Sequence, residues 1–111
     1  MIAKIGVYKK QNDEQPTKEF VVYRVFLNVS QKIGEWLELG EEATKAAKAG
    51  DKARLKEIDA EATEKIIEIF YSLFDDFEAD DIYYMDQSEL RDFMIKLATN
   101  MQGNFDTVRK N

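Results

Sequence analysis

Residues 55–77 read LKEIDAEATEKIIEIFYSLFDDF, and the spacing of their apolar side chains decides the fold. Leu55, Ile58, Ala62, Ile66, Ile69, Leu73 and Phe77 follow one another at steps of 3, 4, 4, 3, 4 and 4, the stripe of an amphipathic helix. Ile67, Phe70 and Phe74 widen that stripe. Charge borders the N-terminal half, while the C-terminal half is apolar nearly all round, so that half is expected at the centre of the core. The pattern predicts a core helix over 52–77.

Upstream, Gly50-Asp51 combines a helix stop with an N-cap. The run around it, EEATKAAKAGDKARLKE (41–57), favours helix but offers almost nothing large to bury. It is expected to be the exposed tip of a helical hairpin, so that helix and tip together take residues 28–58. Asn28 or Ser30 is placed to cap the first arm, in which Ile33, Trp36, Leu37 and Gly40 share a face and Trp36 packs against the strands. Two earlier runs, 2–8 and 18–27 (KEFVVYRVFL), have the residues of strands, with polar QNDEQPT between them. In the second run Phe20, Val22, Arg24 and Phe26 alternate with Val21, Tyr23, Val25 and Leu27. Both faces are largely apolar, so one is expected on the helices and the other, with Phe26, against a second copy or a partner.

Downstream, residues 70–86 (FYSLFDDFEADDIYYMD) set six carboxylates among large apolar and aromatic side chains. Asp80 and Asp81 suit the first turn of a short helix over 80–84, where the dipole favours negative charge. Asp86 and Glu89 form a capping box, with Met85 and Leu90 placed as its hydrophobic staple. Leu90, Phe93, Met94, Leu97 and Met101 continue as a final helix over 87–101 that ends near Gly103, before a flexible tail at 104–111. The elements predict one α+β domain, mainly α, over 1–103, with an N-terminal β-hairpin (2–27) packed on three or four helices.

A chain of 111 residues that is 44% hydrophobic suits one core. It has no cysteine for disulfide or thiol chemistry, no apolar run of about 20 residues and no signal-peptide pattern, so a cytoplasmic location is expected. The net charge of −6 is uneven, for residues 66–93 carry nine acids against one base. That field repels nucleic-acid phosphates and anionic lipid and attracts a basic partner, so neither nucleic acid nor membrane is expected as a partner.

The acidic stretch fails as a calcium loop. Counted from Asp76, Glu78 and Asp80 fall at ligand positions, but Asp81 stands where the loop needs glycine and Gln87 where it needs glutamate. Histidine is absent, which removes the commonest general base and zinc ligand, and the five glycines are too scattered to cradle a phosphate. No enzyme activity, cofactor or metal is expected. Contact surface remains. Tyr83 and Tyr84 are adjacent and cannot both point inward, so the expected partner-binding residues are Phe26, Ile82, Tyr83, Tyr84, Asp80 and Asp81.

The order of features resembles the small tail assembly chaperones of long-tailed bacteriophages and prophages of Gram-positive bacteria. An aromatic-rich strand runs into a helix, an apolar helix follows, and Ile66, Ile67, Ile69 and Phe70 precede Phe77, Asp80, Asp81 and Ile82. The likeness spans roughly residues 18–101 and departs from the family at Tyr71, where a glycine is common, and in a longer tip at 41–57. The resemblance implies a non-enzymatic, self-associating protein that coats the tape measure protein, keeps it soluble and recruits tail tube protein. It also implies a longer, frameshifted form. An acidic mimic of nucleic acid and a small helical regulator of a host protein are the alternatives; the 16 bases dilute the acids of a mimic.

Overall fold

The computed structural model describes residues 1–110, with side chains described for residues 1–101. Strands β1 (Ala3–Val7) and β2 (Lys18–Val22) form a two-stranded antiparallel sheet in which Ala3 faces Val22 and Val7 faces Lys18. Helices α1 (Leu27–Ala49) and α2 (Lys52–Leu73) make a long hairpin. A 3₁₀ helix (Ala79–Tyr84) and α3 (Gln87–Lys110) complete the chain. The fold is α+β, mainly α, with the N-terminal hairpin packed against helices.

Local chemistry explains the boundaries. Gly50 takes the left-handed conformation at φ 69°, and its N–H and that of Asp51 close the last turn of α1 onto Ala47 and Ala46. Asp51 then caps α2 by accepting from the Arg54 amide at 3.0 Å. In β1 the face bearing Ala3, Ile5 and Val7 is buried, and Gly6 lies so close to Pro16 that an added Cβ would sit 2.8 Å from the proline Cβ. Glycine at this position permits the close approach of the polar connection to the strand.

Several boundaries differ from the expected ones. β2 stops at Val22 because the ladder ends at Ala3, so the run 23–27 has no strand to pair with. Neither Asn28 nor Ser30 caps α1. Phe26 is the N-cap, in extended conformation and without a side-chain cap, and its carbonyl accepts from Ser30 N at 3.1 Å. The core helix ends at Leu73, since Phe74 is extended (φ −134°, ψ 124°), and Phe77 reaches the core from the following loop. α3 runs to Lys110, past the end expected near Gly103; the expected tail at 104–111 lies among side chains outside the described residues.

The core lies where the sheet, the base of the α1–α2 hairpin and α3 meet. Ile33, Ile69, Phe70, Phe93 and Leu97 are each 0% exposed. Phe70 stacks on Phe93 at 5.0 Å, lies 5.1 Å from Phe77, and meets Phe20 of β2 edge-on at 6.2 Å. Burying each such ring stabilises the fold by about 1.5–3 kcal/mol, and offset or edge-on pairs add about 0.5–1.5 kcal/mol. The apolar C-terminal half of α2 therefore sits at the centre, as its all-round pattern predicts. Trp36, expected against the strands, is half-buried at the edge of the core and lines a groove between α1 and α2.

Candidate partner-binding surface

The segment 78–86 links α2 to α3 and is fastened at both ends. Glu78 and Asp81 form the capping box of the 3₁₀ helix: each side chain takes the other's backbone N–H, with Glu78 N to Asp81 Oδ2 at 3.0 Å. Lys18 of β2 donates to the same Oδ2 at 3.0 Å and also to the Asp76 carbonyl. That hydrogen bond raises the Lys18 ammonium above its ordinary pKa, against the lowering effect of desolvation. At the other end Tyr8 N donates to the Tyr84 carbonyl at 2.9 Å, so the residue that follows β1 holds the exit of the 3₁₀ helix. Asp86 Oδ2 accepts from Glu89 N at 3.0 Å, starting α3 as expected. Glu89, expected to reach back to the cap amide, accepts the Tyr8 hydroxyl on Oε1 at 3.1 Å.

These contacts sort the expected site residues into four groups. Tyr83 (74% exposed) and Tyr84 (56%) both point to solvent, and Asp80 is exposed beside them in sequence. Ile82 does not belong to the surface: it is 8% exposed and packs in the core cluster with Met85. The tight 3₁₀ turn carries its one aliphatic side chain inward while the two tyrosines face out. Asp81 is half-buried and committed to Lys18 and to the cap, so it supports the segment rather than meeting a partner. Phe26 is 67% exposed but lines a different cleft, of about 240 Å³, with Tyr23 and Leu73.

A cleft of about 560 Å³ separates the tyrosine pair from the connection between the strands, with Tyr8, Lys9 and Asp13 on one wall and Tyr83, Tyr84 and Asp86 on the other. Burial first, then the Glu89 carboxylate, raises the Tyr8 phenol above its ordinary pKa, so Tyr8 stays neutral and keeps donating at physiological pH. Tyr71, 53% exposed, flanks the segment from α2; its hydroxyl accepts from Ala79 N at 3.2 Å and its ring stands edge-on to Phe77 at 5.0 Å. Asp75, Asp76 and Asp80 are exposed and have no ion-pair partner among the described residues. Nothing local in the sequence signals Tyr8, whose bond to Glu89 spans 81 positions, whereas Tyr23 and Leu27 follow from the two-faced run 18–27.

The result is a rigid, negatively fringed aromatic surface with hydroxyl groups at its tips. Among the described residues no group of acidic side chains converges to hold a metal ion, and no helix is long and apolar enough to cross a membrane. Compared with protein-family models, curated proteins and solved structures, the chain matches none.

Proposed function

We propose that this protein is a cytoplasmic, non-enzymatic assembly chaperone of the long-tailed phage type, which binds and solubilises the tape measure protein and helps recruit tail tube subunits. One observation carries the reading: Tyr83 and Tyr84 stand exposed, adjacent in the chain, on a segment fastened by Lys18, Tyr8 and Asp86 and bearing the exposed Asp80, which makes no ion pair among the described residues. Exposed tyrosine adds large contact area with few rotatable bonds, and a pre-ordered support lowers the entropy lost on binding. The carboxylates keep such a surface soluble and favour a client with basic flanks. The resemblance over 18–101 supplies the identity of the client. Nucleic-acid mimicry is less well supported, because Arg54 and Lys65 pair with the glutamates of the α1–α2 hairpin and break up any continuous anionic face.

Co-expression with a fragment of the tape measure protein tests the reading. The fragment is expected to stay soluble and to co-purify with the wild-type chain, and to precipitate with the Tyr83→Ala/Tyr84→Ala variant, whose melting temperature is unchanged. A fragment that precipitates with the wild type, or that is held equally well by the variant, refutes it.

A further inference from the structure

The face of the α1–α2 hairpin that buries Ile33 and Ile69 continues beyond the core as an open groove of about 350 Å³. Trp36, Leu37 and Gly40 of α1 and Leu55, Ile58 and Ala62 of α2 form it. Near its middle a Cβ built on Gly40 meets nothing within 4 Å, so the floor is shallow and uncovered. Small residues on two adjacent helices leave room for a third to lie at the usual interaxial distance of about 8–10 Å.

The two sides of the hairpin differ in the balance of their charges. The opposite face holds Glu35, Glu42, Glu61 and Glu68, tied to Arg54 and Lys65 at 2.6–3.4 Å. On the groove side three lysines outnumber the acids, which there are Asp59 and Glu41. Lys52 and Lys56 share the helical stripe of Asp59, a groove residue, and Lys48 shares that of Leu37. All three are exposed and make no ion pair among the described residues.

We infer that this groove binds an amphipathic helix whose apolar stripe is flanked by carboxylates, the carboxylates lying toward the Gly50 end. The groove is separate from the tyrosine surface, and the inference does not depend on the function proposed above. Helix-in-groove recognition takes its affinity from the apolar stripe and its choice of partner from flanking charge.

Trp36, the only tryptophan, reports on the groove directly. Two synthetic helical peptides with the same leucine stripe, one flanked by glutamates and one by lysines, are titrated into the full chain at low salt. The glutamate peptide is expected to shift Trp36 emission to the blue and to bind roughly tenfold tighter than the lysine peptide. Lys48→Glu/Lys52→Glu/Lys56→Glu is expected to invert that preference. Gly40→Leu, whose Cβ would meet nothing within 4 Å, should weaken both peptides at least about tenfold while circular dichroism shows a melt no lower than that of the wild type. Equal affinity for the two peptides, or undiminished binding by Gly40→Leu, overturns the inference. So does a concentration-dependent Trp36 shift without peptide that sedimentation traces to a dimer and Gly40→Leu abolishes, because a second copy then covers the groove.

Discussion

Ile82 and Tyr83 are neighbours in the chain with opposite fates, and replacing each by alanine separates the support of the surface from the surface itself. Ile82 is 8% exposed and Tyr83 74%. Ile82→Ala removes three buried carbons, which at about 0.8 kcal/mol each is about 2.4 kcal/mol before any cavity term. Unfolding entropy of about 2.1 cal/mol/K per residue over 111 residues makes this a fall in melting temperature of about 10 °C. Tyr83→Ala removes an exposed ring that makes no ring stacking contact among the described residues, so its stability should stay within about 0.5 kcal/mol of wild type. Thermal and urea melts followed by circular dichroism read both. An Ile82→Ala variant that melts within about 2 °C of wild type, or a Tyr83→Ala variant that loses as much, refutes the assignment of inside and outside in this turn.

Stability should fall in alkali. Lys18 and Tyr8 both have raised pKa values in the folded chain, so what each contributes is complete below its unfolded value, near 10, and is lost as pH rises through the folded value. Lys18→Met and Tyr8→Phe should each flatten the alkaline limb of a melting-temperature profile, and a limb unchanged in both would contradict the Asp81 and Glu89 contacts. Two glycine variants should move in opposite directions in urea melts. Gly50→Ala places a side chain at φ 69° and should cost about 1–2 kcal/mol, whereas Gly40→Ala, in an open helix face, should stabilise by about 0.5–1 kcal/mol. Equal effects would mean that the hairpin turn is not built on a left-handed residue.

Much of the candidate site was legible as composition and little as geometry. One of the two tyrosines could be placed outside because adjacent side chains cannot share one inward direction, and the structure exposes both. Ile82, expected on the surface, lies inside, since a 3₁₀ turn and an α-turn present the same residue to different sides. The role of Asp81 depends on Lys18, 63 positions away, and that of Tyr8 on Glu89, so no local pattern reveals either. The Trp36 groove was hidden for a related reason. Helical spacing identifies the stripe, yet whether sheet and α3 reach far enough to cover it depends on where those elements end.

Periodicity and capping chemistry act over three or four residues, so the sequence alone determined the α1–α2 hairpin, the Gly50-Asp51 junction, the Asp86 start of α3 and the aromatic core. Strand ends, the break of α2 at Phe74, and the choice of which apolar residues stay uncovered were decided only in the tertiary structure. Each of those turns on a partner distant in sequence, and its energy exists only once the two segments have met.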